Sequence, residues 1–566
     1  MRTRLANLMR TAALATWVFL TAIAGAGPLP DANWMAREAW RLETDGVTTA
    51  HLESPAGPGG PVFLITFALA PGGGWVNLSH ELPDGFSADV PICFTVQADA
   101  DCRLEIKFTD RDGSTFGRGI ALAGRYREPE AVVVYLAGTE YWWGGDDANF
   151  DQPARFWLAL SGEGTGTLRL RSIGPGEPGT PATPRPAGPQ LDPDRDLPGI
   201  GHRQRRDAAL APEDPLVLEW LKELQDAAGP GPLPVPDILG GNDVSTFNSA
   251  LVAMAFILKG ERERAESVLD FYALATDRDN EDPTLQNFFL HGEPRGFFQH
   301  VALRDAGDIR ALHTAGSDRW MGDMAWLLLA YLHHRQTYES DRYDQLIGLL
   351  RDLLVSWYRD AEDGPGGYVQ HGWRKGDAYL HEDHGHPEGN IDCYAVLRLC
   401  GDEDHARSIR TWLDRTLDRK PSLPLDLYSW RVLAYGPEAA ALLDIPEFDL
   451  RYRKSIQFPG RNAVGFYHGP DIDVDNVWLD GTGHMACAFL TCGDPLRGNF
   501  YANQLDAFVI EEDFDGKVLH SLPYAANRTG GYQWIDPGRG VASAAAWYIF
   551  AKSRFNPLRL EIAGGR

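Results

Sequence analysis

Four short stretches of the chain combine acids with aromatic rings: Gly316-Ser317-Asp318-Arg319-Trp320-Met321-Gly322-Asp323, His386-Pro387-Glu388-Gly389-Asn390-Ile391-Asp392, Asp426-Leu427-Tyr428-Ser429-Trp430, and Asp475-Asn476-Val477-Trp478-Leu479-Asp480-Gly481-Thr482-Gly483. Cleaving a glycosidic bond calls for this mixture. One carboxylic acid protonates the leaving oxygen while a second carboxylate activates water or attacks the anomeric carbon. Flat aromatic faces pack against the C–H face of the sugar ring. On that reading Glu388 is the general acid, oriented by Asn390 and the histidine-rich loop at His386, and Asp480 is the base or nucleophile, with Asp323 and Asp392 as helpers. Trp320, Trp430, Trp478 and Tyr524 stack on sugars, and Asn248, His386, Asn390 and Asp426 bind substrate beside them. The alternative for each acid is a helix cap or a first-turn acid favoured by the helix dipole. Four clusters at corresponding helix starts favour a site.

These residues need a scaffold that brings distant segments together. After about Pro212 the apolar period is helical, and helices apolar on nearly every face begin near Thr246, Trp320, Asn390, Tyr428, Trp478 and Ser543. Amphipathic stretches lie between them, at Glu261 to Ala275, Tyr343 to Tyr358, Asp404 to Leu417 and Asn503 to Val509. Buried helices alternating with outer ones predict an (α/α)6 toroid over residues 206–566. Its inner helices run parallel, so their N-terminal ends meet around one mouth. A repeat array of the tetratricopeptide type is the alternative, but the spacing between inner helices varies too much for a fixed short repeat.

Residues 34–172 alternate with period two, as in Val62-Phe63-Leu64-Ile65-Thr66-Phe67 and Leu104-Glu105-Ile106-Lys107-Phe108, with turn signals such as Asp110-Arg111-Asp112-Gly113 between the runs. That predicts an antiparallel β-sandwich. The Pro/Gly-dense stretch 173–205 reads as a semi-stiff linker. Residues 1–27 read as an export signal, with Arg2, Arg4 and Arg10 before an apolar run from Ala12 to Ile23 that is too short to span a bilayer. A secreted or periplasmic location is therefore expected.

The chain has 566 residues, a formal net charge of −26 and six cysteines. So large a negative charge repels nucleic-acid phosphates and anionic lipid surfaces. Cys93 and Cys102 are candidates to bridge neighbouring strands, and the other four read as buried thiols. No metal or cofactor is called for. The His-Glu-Asp-His-Gly-His run at 381–386 lacks zinc-helix spacing, and Asp471, Asp473 and Asp475 lack the Gly and closing Glu of a calcium loop, which leaves calcium as a lesser possibility. Serine-hydrolase, nucleotide and dinucleotide signatures are missing from the sequence.

The stretches Glu388-Gly389-Asn390-Ile391-Asp392, Val477 to Gly483, Ser521-Leu522-Pro523-Tyr524-Ala525 and Ala546 to Phe550 with Phe555-Asn556-Pro557 resemble a bacterial family of exported proteins with glycoside-hydrolase-like (α/α)6 domains, over roughly residues 240 to 557. The resemblance implies a polysaccharide or oligosaccharide substrate. Its W-x-E-G-T pattern has Asp480 in place of Glu, and its Y-D pair reads Phe247-Asn248 here. The β region is similar to carbohydrate-binding modules of the family-11 or complex-I-intermediate-associated jelly-roll kind, through Gly73 to Leu82 and Glu140 to Gly145. That similarity implies a sugar platform at Trp75, Tyr141, Trp142 and Trp143; core packing is the competing use of such rings.

Two other functions fit the same scaffold. A polysaccharide lyase or sugar epimerase would use a Tyr or His base, for which His313, His384, His386, His468 and His484 are available. A non-catalytic glycan binder would account for the departures at Asn248 and Asp480.

Overall fold

The computed structural model describes residues 34–183 and 209–560, apart from 58–59, 88, 101, 123, 137–138, 144–151, 277–285, 304–310, 314–316, 375–378, 382–384, 419, 421 and 472. It comprises an N-terminal β domain and a larger helical domain.

The strands of the β domain are β1 (Trp40–Thr44), β2 (Thr49–Glu53), β3 (Ala56–Gly57), β4 (Gly60–Glu81), β5 (Ile92–Ala98), β6 (Cys102–Asp110), β7 (Thr115–Leu122), β8 (Glu130–Val134), β9 (Glu140–Trp143) and β10 (Pro153–Pro175). Strict alternation of buried and accessible positions along β5 expresses the period-two pattern. β4 and β10 pair with each other along both their halves, with a register break between Gly162 and Gly164. One half of this ribbon is flanked by β1 and β6, the other by β2 and β5. The sheet encloses an apolar core, in which the Trp40 ring on β1 meets the Phe63 ring on β4 edge-on at 5.8 Å.

β10 continues to Pro175, and Thr183 exchanges hydrogen bonds with Val133. Residues 173–183, expected in the linker, are therefore tied to the β domain. A stretch poor in apolar side chains still offers backbone groups to a sheet edge. Residues 184–205 and the expected leader 1–27 lie outside the described residues. Cys93 and Cys102 are both free thiols, contrary to the expected bridge. β5 pairs with β8 and β10 rather than β6, so the two cysteines are not on adjacent strands.

Among the described residues of the helical domain the helices are α1 (Pro215–Ala228), α2 (Thr246–Lys259), α3 (Arg262–Leu274), α4 (Met321–Tyr338), α5 (Asp344–Ser356), α6 (Pro387–Leu399), α7 (Glu403–Leu417), α8 (Leu425–Tyr435), α9 (Asp444–Phe448), α10 (Leu479–Thr491), α11 (Pro495–Gln504) and α12 (Ala542–Ser553). The even-numbered helices are buried on nearly every face. Each lies against the next in chain order, and α12 returns to α2, so the circuit closes. Outside it, α3, α5, α7 and α11 each pack on the buried helix that precedes them, and α1 packs on α12. The stretch expected as an outer helix at Asn503 to Val509 is instead the end of α11 and a short 3-10 turn, because Asp494 caps and Pro495 starts the helix earlier. No helix among the described residues is long and apolar enough to cross a membrane.

A buried ion pair joins the domains. The Arg103 guanidinium on β6 meets the Asp471 carboxylate of the helical domain with both its terminal nitrogens, and its Nε lies 3.4 Å from Glu105. Gly119 on β7 leaves the room, since a Cβ there would collide with the guanidinium. Arg103→Ala strands Asp471 in the interface with Lys454 beside it. Losing one partner of a buried pair costs about 3–5 kcal/mol. The variant is expected to unfold in two calorimetric steps where the wild type unfolds in one; a single unshifted transition would contradict an ion pair that couples the domains.

Candidate active site

The caps of the helices separate structural acids from available ones. The outer helices α7 and α11, and α1, are capped by Asp402, Asp494 and Asp214, whose carboxylates accept backbone N–H groups. The buried helices α4, α6, α8 and α10 have Trp320, His386, Pro424 and Trp478 at that position, and none of these makes a side-chain cap. Asp323, Glu388, Asp426 and Asp480 lie two or three residues further on, in the first turns, where the helix dipole favours negative charge. Of these, Asp426 binds the N–H of Leu427 and Asp323 that of Phe247.

The Trp478-Leu479-Asp480-Gly481-Thr482 turn has a physical reason for each of its parts. The Trp478 N–H donates to Phe466 O, and the Leu479 N–H to Tyr524 O, which holds the turn between two other segments. Thr482 Oγ1 donates to Trp478 O at 2.8 Å and accepts from Phe466 N at 3.0 Å. Gly481 lets the Trp478 ring lie over the first turn of α10, where a Cβ would strike it.

The first turns open into one cavity of about 890 Å3. Trp320, Asp323, Glu388, Asp392, Asp426, Trp430, Trp478, Asp480, Tyr524 and Asn248, all singled out from the sequence, line it. Burial pushes the carboxyls up: Asp426 to about 6, Asp480 to about 7, Asp323 to about 8, and Asp392 and Glu388 well above the usual range. After burial, the charges of Asp426 and Asp323 weigh most on Glu388. Asp480 is not among those neighbours; its side chain bonds to Ser543. Burial, and then the charges of Asp480, Glu388 and Asp426, hold the Tyr524 phenol well above its ordinary value, and all four residues line the cavity. Oδ2 of Asp323 and Oδ1 of Asp392 and of Asp480 have no hydrogen-bond partner among the described residues. Buried oxygens left this way are open to a polar ligand, and a carboxyl that keeps its proton donates as well as accepts.

His484 completes the floor. Its Nδ1 accepts from Trp430 Nε1 at 3.1 Å, which puts the proton of the neutral ring on Nε2. Burial holds it well below its usual value, and so uncharged at neutral pH. His468, which also lines the cavity, bonds Tyr532 through Nδ1 at 2.9 Å and is lowered to about 4 by burial.

Two expected substrate contacts are not made. Asn390 is fully buried, with Oδ1 accepting from Val369 N and Nδ2 donating to Val369 O and His386 O, so its amide fastens a strand to α6 rather than orienting Glu388. His386 packs behind the cavity lining, its ring 5.2 Å from those of Trp320 and His371, and burial lowers it to about 3. Calcium at Asp471 is contradicted too, since Arg103 takes that carboxylate and Lys454 takes its carbonyl. Tyr141, Trp142 and Trp143 form β9, but their side chains, with those of His313, His381 and His384, lie outside the described residues.

Sequence reasoning missed several members. Asp237 lines the cavity, holds the Asn248 amide at 2.8 Å and the Ser245 N–H at 2.9 Å, and is pushed by burial to about 6. It precedes a strand rather than a helix, so the helix-start pattern passes over it. Trp326, Tyr532 and Trp534 also line the cavity. The Gly530-Gly531-Tyr532-Gln533-Trp534 run, aromatic between turn residues, was the available signal. Trp75, the expected carbohydrate-module aromatic, lines this same cavity together with Asn77 and Lys107 of the β domain.

No protein-family model matches the chain, and no curated protein matches it. Among solved structures, a wild-type glycosidase is 12% identical and covers 64% of this chain and 100% of its own, with a TM-score of 0.40. A glycosidase variant in complex with glucose gives 12%, 63%, 99% and 0.39 for the same measures. The family 11 carbohydrate-binding module of the cellulosomal cellulase Lic26A-Cel5E of Clostridium thermocellum is 13% identical and covers 24% of this chain and 85% of its own, with a TM-score of 0.21.

Proposed function

We propose that this chain is an exported glycoside hydrolase that cleaves a neutral polysaccharide or oligosaccharide at the mouth of an (α/α)6 toroid. One observation carries the reading: first-turn carboxylates from four separate buried helices meet in a single cavity lined in part by tryptophan and tyrosine. Glu388, kept protonated by burial and by the charge of Asp426, gives its proton to the leaving oxygen. Asp480, on a different helix, is the base or nucleophile at the anomeric carbon. The charge of Asp426 raises Glu388 more than that of any other neighbour, which makes Asp426 the charge that holds the acid's proton. Asp323, Asp392 and neutral His484 offer hydrogen bonds to ring hydroxyls, and Trp320 and Trp478 pack against the ring.

A lyase reading finds less support. The described cavity lining has one lysine and no arginine to balance a uronate carboxylate, and Tyr524 and Tyr532 are held too high to be ready bases. The test is incubation of the protein with a panel of neutral and uronate polysaccharides. New reducing ends from a neutral glycan, with no rise in ultraviolet absorbance from an unsaturated product, are expected. Absorbing products would give the reaction to a lyase, and binding without any product would leave a glycan binder.

A further inference from the structure

The sequence predicts a β domain held on a linker as a separate sugar-binding module, yet Trp75, Asn77 and Lys107 of that domain line the cavity that holds the carboxylates. We propose that Trp75 of the β domain and Trp534 of the helical domain form one outer sugar subsite, which grips the residue beyond those held at the carboxylates. This rests on the reading of the cavity as a glycan-cleaving site.

Trp534 lines the cavity while remaining 70% exposed, the most exposed of the large apolar side chains among the described residues. An exposed indole beside a cavity of polar floor is placed to pack on a sugar face. Its ring is steadied from one side by Tyr524, at 5.2 Å. Trp75 is half-buried, and its backbone N–H donates to Asp45 Oδ2 at 3.3 Å.

One cation links the two positions. Arg528 Nε donates at 2.9 Å, and Nη2 at 2.5 Å, to the carbonyl of Gln533, the residue before Trp534. The same guanidinium lies 3.8 Å from the Asp45 carboxylate that holds Trp75. Burial raises Asp45, but hydrogen bonds from Thr48, Val47 and Trp75 outweigh it, so the carboxylate is ionised and attracts Arg528. Gln533 also reaches across, with Nε2 3.4 Å from Glu105 on β6. The backbones carrying both tryptophans are thus fastened to each other across the domain boundary, which an independent tethered module would not need.

The consequence is a preference for longer glycans that depends on both domains. The full-length chain is titrated calorimetrically with the tetrasaccharides and disaccharides of maltose, cellobiose, laminaribiose and mannobiose type. The wild type is expected to bind at least one tetrasaccharide more tightly than its disaccharide. Trp75→Ala and Trp534→Ala are each expected to reduce that ratio roughly tenfold. Trp75→Phe, which keeps a flat ring, restores most of it, and Arg528→Met reduces it as the tryptophan variants do. The subsite is overturned if Trp75→Ala leaves the ratio unchanged, if both affinities fall together, or if the wild type shows no length preference. The titrations are made in the Glu388→Gln background, so that bound glycan is not consumed, and loss of the hydrolase assignment would appear separately, as unchanged cleavage by that variant.

Discussion

Replacing Glu388 by Gln is expected to lower turnover of the cleaved glycan by about 10²–10⁴-fold, the range ascribed to a positioned general acid. Glutamine has the shape of a protonated glutamic acid, and burial together with the charge of Asp426 keeps Glu388 protonated. The fold should therefore not feel the change, and the melting temperature should stay within a degree or so of the wild type. The loss should also depend on the leaving group. An activated aryl glycoside departs with little help and should lose far less than a sugar leaving group does. Asp426→Asn gives a different signature, because it removes the charge that keeps the proton on Glu388. Its alkaline limb of kcat/KM should move to lower pH while the acid limb stays where Asp480 sets it. A Glu388→Gln enzyme with wild-type rate on the natural linkage would remove Glu388 from the chemistry.

Much of this site was legible because two periodicities intersect in it. Helices apolar on all faces must be buried, and the buried helices begin within three residues of the positions read from the sequence. Acids recurring at those starts had to converge if the helices close into a circuit, and they line one cavity. Asn390 misled the reading because an amide next to an acid in sequence resembles an orienting group, whereas one turn of helix aims it at the Val369 backbone. Asp237 and Trp534 escaped because they sit in irregular segments, where no period predicts direction. The docking of the β domain was illegible for a related reason. Arg103 and Asp471 are 368 positions apart, and nothing local in a strand residue or a loop acid announces its partner. Charge alone would have left both on the surface. The Pro/Gly composition between the domains argued for separation, although the contacts that join them arise elsewhere in the chain.

Asp480→Asn should abolish activity and raise stability together. Asp480 is 2% exposed, and burial lifts its carboxyl from 3.8 to about 7. A folded-state value above the unfolded one means that the native protein resists the ionisation the unfolded chain permits. The penalty is absent below about pH 4, where the group is protonated in both states. It grows as pH rises towards 7 and is constant above. At about 1.4 kcal/mol per unit, the full penalty is on the order of 4 kcal/mol. Asparagine carries no charge to desolvate and still reaches Ser543, so the variant should melt several degrees above the wild type at pH 8, with the gap closing by pH 4. The same titration governs catalysis, because Asp480 must be ionised to act on water or the anomeric carbon. Wild-type kcat/KM should therefore fall about tenfold per pH unit below roughly 7. A variant that melts below the wild type at pH 8 would mean that the carboxylate is stabilised where it stands. It would then be a structural acid and not a base held in readiness, because a group poised for reaction is expected to be strained in the resting fold.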